Sequence, residues 1–221
     1  MAPSNDVLSK EVLRHGAYIC LAAPAAARRQ LAAAAVPALA ARLELRNEYE
    51  TDKGHPPDAV AFVRLLDDHE VARNLTRVPH PYTEKDFFAF LALCVRNRLN
   101  GSGYDYAVTR ALDGALIGLC AVDRWDDGVW ELGYWYGKSY WGQGYASEAA
   151  RTVVRHAFED LDATMLTAGW FADNPASGRV LEKLGFVPSG TMQRHCLSRG
   201  GEVTSNRMLL TRDGFARKKA A

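Results

Sequence analysis

The chain is poor in cysteine, and the four it has are scattered: Cys20, Cys94, Cys120 and Cys196 form no C-x-x-C pair. That spacing gives neither a zinc site nor a disulfide framework, so no metal is expected and a reducing cytoplasm suits the chain. Excess charge of one sign is also missing. Lys and Arg number 27 against 26 Asp and Glu, a net charge of +1, which leaves no electrostatic footprint for nucleic acid. Long apolar runs are absent as well. The alanine-rich stretch 17–41 is broken by Pro24, Arg28, Arg29 and Pro37, well short of the ~20 apolar residues of a membrane span. Asp6 and Glu11 spoil the basic start of a targeting peptide. Residues 1–40 therefore read as an appended extension and 41–221 as one domain, with no membrane partner.

What is present is an α/β pattern. Ala41–Arg46 alternates apolar and polar as a first strand, and the polar, turn-rich stretch 47–57 follows. With Asp58 as a cap, Ala59, Phe62, Val63, Leu65 and Leu66 recur at helical spacing. A second helix starts at Thr83, with Asp86 completing a capping arrangement. Tyr104–Thr109, Leu116–Val122 and Val129–Tyr136 are short strands separated by Asp-Gly pairs, the mark of antiparallel hairpins. A helix over 144–160, a strand Thr164–Ala168, a helix Pro175–Leu184, a strand Phe186–Thr191 and a closing segment Val203–Thr211 complete the order. One mixed, mostly antiparallel sheet flanked by helices is the expectation.

The most informative segment runs from Glu131 to Glu148, where a strand enters a loop holding Gly142 and Gly144 and a long amphipathic helix begins. Unpaired amides at a helix start, with the positive end of the dipole, suit a phosphate, and glycine lets it reach the backbone. Spacing decides among phosphate folds. Gly137-Lys138-Ser139 is not a P-loop, because Leu132 stands where the first glycine belongs. Gly142-x-Gly144-x-x-Ser147 lacks the third glycine of a dinucleotide fingerprint, and an antiparallel meander precedes it.

Three blocks then fall in order: Glu131-Leu-Gly-Tyr-Trp135 with Tyr140-Trp-Gly-Gln-Gly-Tyr-Ala-Ser-Glu-Ala149, Ala172-Asp-Asn-Pro-Ala-Ser177, and Val180-Leu-Glu-Lys-Leu-Gly-Phe186. From about residue 41 to 211 the chain resembles the GNAT acetyltransferases, in the branch typified by the RimJ and RimL ribosomal-protein N-terminal acetyltransferases. The resemblance implies the GNAT fold with a splayed strand pair, and acetyl-CoA as co-substrate. It implies a pyrophosphate held by the backbone around Gln143, Gly144, Tyr145 and Ala146. Leu132, Tyr134 and Trp135 would line the pantetheine arm on the strand that splays from 164–168, and Asn174 would contact that arm. Trp141 stands where the superfamily has Gln or Arg.

The chemistry implied is attack of an amine on a thioester. Neutralising an α-amine at pH 7 costs about 1 kcal/mol and a lysine roughly 4–5, and a positioned base relieves that cost. Glu131 is the candidate base, its alternative being a strand glutamate that faces solvent or pairs with arginine; Asp123 and Asp126 are weaker candidates. The superfamily's usual tyrosine is replaced by Phe186, so Ser177 is the candidate acid for the thiolate, its alternative being a helix cap. A backbone amide near Trp135 is expected to hold the oxyanion. His156 and His195, in a helix and in the closing loop, read as packing or surface residues. Strand aromatics such as Trp125 and Trp130 read as core unless they line an acceptor pocket. The acceptor is expected to be a protein N-terminal α-amine. Alternatives are a small amine such as an aminoglycoside, polyamine or amino acid, taken by Asp67, Asp68, Glu70, Asp123 and Asp126, or no acceptor at all in an acyl-CoA sensor. A monomer or a homodimer fits equally.

Overall fold

Among the described residues seven strands form one sheet in the order β1-β2-β3-β4-β5-β7-β6, with helical crossovers from β4 to β5 and from β5 over β7 to β6. The computed structural model describes residues 43–46, 59–125 and 128–220. The expected extension 1–40, the stretch 47–57, the cap Asp58 and the acid Asp126 lie outside them. β1 (Leu43–Arg46) is followed by α1 (Ala59–Leu66), α2 (His69–Ala72) and α3 (Glu84–Leu99), and then by β2 (Gly103–Arg110), β3 (Leu116–Arg124) and β4 (Trp130–Tyr136). A long helix, α4 (Tyr145–Glu159), carries the chain over to β5 (Met165–Phe171). There follow α5 (Pro175–Leu184), β6 (Val187–Cys196), β7 (Gly201–Thr211) and α6 (Arg212–Ala220). Every pairing is antiparallel except β4 with β5.

Local chemistry accounts for the boundaries. Gly114 closes the β2–β3 turn at φ 68°, a left-handed conformation that side chains resist, and the Asp113 carboxylate accepts from Ala115 N at 3.2 Å and pairs with Arg110. Thr83 and Asp86 cap α3 reciprocally, as their spacing predicts. Gly185, at φ 96°, ends α5.

Strand alternation gives the sheet two cores. One face of β2–β4, with Ala107, Leu119, Ala121 and Trp135, packs against Phe62, Phe87 and Leu91 of α1 and α3. The other, with Tyr106, Val108, Cys120, Val122 and Leu132, packs against Val153, Val154 and Phe158 of α4 and Leu181 of α5.

Three expectations change. β6 extends to Cys196, so His195 lies in a strand and not in a loop; most of β6 is exposed along an edge, where no alternation marks it. β5 runs on to Phe171. The chain passes from β7 into α6, whose sequence RDGFARKKA has almost no apolar stripe beyond Phe215, stacked on Phe158 at 4.8 Å.

Phe62 is fully buried, 4.8 Å from the Trp135 ring and 5.0 Å from Phe87. Phe62→Ala is expected to cost about 3–5 kcal/mol, read as a lower midpoint in urea denaturation.

Candidate active site

The site begins where β4 and β5 stop pairing. Only Trp130–Leu132 match Leu166–Ala168, although each strand runs several residues further and keeps seven partners on its other side. Beyond Leu132 the parallel seam opens. Gly137 N bonds to Ile117 O at 3.0 Å, so by two-residue alternation the backbones of Trp135, Gly133 and Glu131 face β3. Those of Leu132, Tyr134 and Tyr136 then face the gap. Thr167 Oγ1, which donates to Trp130 O across the paired end, fits the same phase. The gap-facing backbone groups on this strand are therefore the amides and carbonyls of even-numbered residues. Trp135, expected at the arm and the oxyanion, instead places its side chain in the α1–α3 core and its backbone against Leu119.

At the end of β4 the chain makes a short 3₁₀ turn, Lys138–Tyr140, and enters the glycine loop. Gly142 and Gly144 adopt φ of 73° and 84°, and a Cβ on either would meet nothing within 4 Å. Gly144 is the N-cap of α4, and among the described residues no side chain makes a cap hydrogen bond there. The loop 141–144 is exposed, so the helix start is open to solvent. Gln143 turns its side chain back to Ser139 O at 2.9 Å, and Trp141 Nε1 donates to Tyr136 O at 2.7 Å. Both side chains thus brace the loop and leave its backbone concave. An exposed, glycine-lined helix N-terminus that follows a parted seam suits an anion.

Glu131 lies at the closed end of the gap on the α1–α3 face. Its Oε1 accepts from Arg194 Nη2 (3.1 Å) and Arg207 Nη1 (3.0 Å), and its Oε2 from Arg194 Nη2 (3.3 Å). The arginine-paired alternative thus describes its surroundings, and its Oε2 keeps one lone pair uncommitted. Next to it in the ladder stands Asp123 on β3, which faces Gly103 of β2, and Asp105 lies two residues on. Burial raises the Asp123 carboxyl, opposed by Arg77 at 3.8 Å and the Asn97 amide. Burial first, then Asp123, pushes Asp105 up to about 6. Of the other acids, Asp67 accepts from Tyr82 N and Asp68 caps α2.

On the opposite face α5 meets the gap. Asn174 is its N-cap and makes no side-chain cap bond. Ser177 sits one turn in, where Tyr134 Oη donates to its carbonyl at 2.9 Å and lies 3.0 Å from its Oγ. Burial raises the Tyr134 phenol well above the usual tyrosine range, so it stays neutral as a donor. Phe186 is buried in the α4–α5 core. The fold therefore gathers Glu131, Leu132, Tyr134, Gly144, Asn174 and Ser177 around one seam. Sequence reasoning missed Arg194 and Arg207, which lie 63 and 76 residues from Glu131 and carry no local motif.

The described fold is a mixed α/β sheet that parts beside a glycine-led helix start. Residues 42–187 match the family described as acetyltransferase (GNAT) domain, and the chain belongs to that family. It is 33% identical over 104 residues to the uncharacterized protein YkkB of Bacillus subtilis, covering 44% of this chain and 60% of that one. The chain spans about half the length of the curated relatives it matches. Among solved structures it shares its fold with RimL, a ribosomal L7/L12 alpha-N-protein acetyltransferase in complex with coenzyme A. That match has a TM-score of 0.68 at 18% identity and covers 81% of this chain and 98% of that one. Spermidine N-acetyltransferase from Vibrio cholerae, with CoA and spermine, matches at TM-score 0.63 and 18% identity over 79% and 98% of the two chains. Among the described residues no helix is long and apolar enough to cross a membrane.

Gly144→Val puts a branched side chain into the cradle and strains a left-handed φ; CoA affinity by calorimetry is expected to fall about tenfold or more. Asp105 carries a raised folded-state carboxyl, so the folded chain holds a proton that the unfolded chain releases between the ordinary value of 3.8 and about 6. Stability from this group is present below that window and lost as pH rises through it. Asp105→Asn is expected to flatten that slope and to stabilise the protein at pH 7 by about 2–3 kcal/mol, read by chemical denaturation across pH 4–7.

Proposed function

We propose that this protein transfers the acetyl group of acetyl-CoA to a primary amine, and that the amine is a protein N-terminal α-amine. The observation that carries the first part is the early end of the β4–β5 ladder beside the uncapped, glycine-lined start of α4. Membership of the GNAT family supports the acetyl donor. Likeness in fold to a ribosomal-protein N-terminal acetyltransferase supports the acceptor. So does the free energy of the first step, because an α-amine loses its proton at pH 7 for about 1 kcal/mol where a lysine needs roughly 4–5.

When bound, acetyl-CoA supplies an activated acyl carbon. The residues of this chain do the rest. The backbone of Gln143, Gly144, Tyr145 and Ala146 holds the diphosphate, and the gap-facing backbones of Leu132 and Tyr134, with the Asn174 amide, hold the arm. Tyr134 and Tyr136 are the gap-facing amides available to the carbonyl oxygen. Glu131 takes the amine proton through the unoccupied site on Oε2, directly or through one water. Arg194 and Arg207 fix its carboxylate. Ser177 turns its hydroxyl proton to the leaving sulfur while Tyr134 shifts its own from the Ser177 carbonyl to the Ser177 Oγ. The high phenol pKa makes this stabilisation by hydrogen bonding rather than complete proton transfer.

Thiol release from acetyl-CoA, assayed with N-terminal peptides and with spermidine, tests the reading; turnover of spermidine and of no peptide refutes the acceptor. Glu131→Gln is expected to lower kcat at pH 7 by roughly 10²–10⁴ in the same thiol-release assay. An unchanged kcat moves the base elsewhere.

A further inference from the structure

Two cations hold one anion at the closed end of the gap. Arg194 and Arg207 both bond to Glu131 and leave an unmatched positive charge in a pocket where their side chains are 22% and 19% exposed and that of Glu131 is 14% exposed. One bidentate guanidinium would neutralise and orient a carboxylate; a second adds a charge whose desolvation is not offset. Each guanidinium has five N–H donors, and the bonds to Glu131 engage one nitrogen of each, Arg194 Nη2 towards both carboxylate oxygens and Arg207 Nη1 towards one. Arg194 Nε is buried with no hydrogen-bond partner. The neighbouring carboxylate on this face, Asp123, faces Arg77 instead.

Among the described residues, two glycines lie between these donors and the gap. Gly133 lies two residues after Glu131 on the same face, and a Cβ there would meet nothing within 4 Å. Gly169 pairs with Arg207 in the ladder, and a Cβ on it would lie 3.4 Å from Arg207 Nη1. Two glycines thus floor a path from the seam to the guanidiniums. Across the sheet the charges are polarised. Acids occupy β2, β3 and β4 (Asp105, Asp123, Glu131), and bases occupy β7 and β6 (Arg207, Arg194).

We propose that Arg194 and Arg207 form a carboxylate-recognition site for the acceptor, selecting an amine with an acidic group close to the reactive nitrogen. This rests on the acetyl-transfer reading above and narrows its acceptor class. The carboxylate comes from an Asp or Glu side chain beside the N-terminal residue of a peptide, or from the α-carboxylate of a free amino acid. Polyamines lack it and meet two like charges.

The test uses the full chain, acetyl-CoA and three peptides that differ only at their second residue: Ser-Glu, Ser-Gln and Ser-Lys. Free serine and glutamate form a separate arm. The Ser-Glu peptide is expected to exceed Ser-Gln about tenfold in kcat/KM, mainly through KM, with Ser-Lys lowest and the advantage shrinking with added salt. Arg207→Gln should bring the Glu/Gln ratio towards one, a change that a purely structural role for Arg207 would not produce. Preference for free amino acids over every peptide supports the carboxylate site while overturning the peptide acceptor. Equal rates on the three peptides overturn the carboxylate site and leave acetyl transfer standing. Turnover of spermidine alone overturns the carboxylate site and the peptide acceptor and leaves acetyl transfer standing.

Discussion

Three residue pairs hold β4 to β5, and the site depends on there being no fourth. A parallel seam that stops while both strands continue leaves backbone donors and acceptors without ladder partners, and such groups are costly unless something else satisfies them. The halves on either side cannot relax to close it. β4 is fixed by its ladder to β3 and β5 by its ladder to β7. α5 acts as the wedge. Its Gly178 sits so close to Trp170 of β5 that a Cβ would fall 2.7 Å from the indole, and its Ser177 is tied to Tyr134 of β4. One short helix therefore touches both lips of the gap, and the helix start with its uncapped Gly144 stands at the open end.

The parts that repeat locally were legible in the chain. Hairpin glycines, the Thr83 and Asp86 cap and the apolar stripe of α4 each occupy a short window and obey a fixed period, so spacing alone places them. The cradle was legible for the same reason: two glycines, a helix start and the preceding strand are contiguous. β6 was only half visible, because a strand exposed along its edge has no buried face to impose alternation. α6 was invisible, since charge rather than periodicity dominates it and its main anchor is one ring on Phe158.

Side-chain facing was the harder matter. Trp135 and Tyr134 are adjacent, so one must enter the α1–α3 core while the other meets α5, and composition does not say which. The phase is fixed by a bond to a distant strand, from Gly137 to Ile117. Likewise the neighbours of Glu131 come from the β6–β7 hairpin, and only the folded order β5-β7-β6 brings them across.

That facing divides the labour of the sheet. Groups suited to a leaving sulfur, Tyr134 and Ser177, lie on the α5 side, whereas the charged groups suited to an amine lie on the α1–α3 side. The two sets are separated by the thickness of the sheet except where the seam is open, so chemistry that needs both can occur only there. Three carboxylates in adjacent strands on one face would repel one another and resist burial. The fold offsets this unequally: Glu131 receives two guanidiniums, Asp123 receives one at 3.8 Å, and Asp105 has its carboxyl raised by burial and by Asp123. The carboxylate nearest the seam is thus the best held, and the cationic pair that holds it also decides which acceptors can come near.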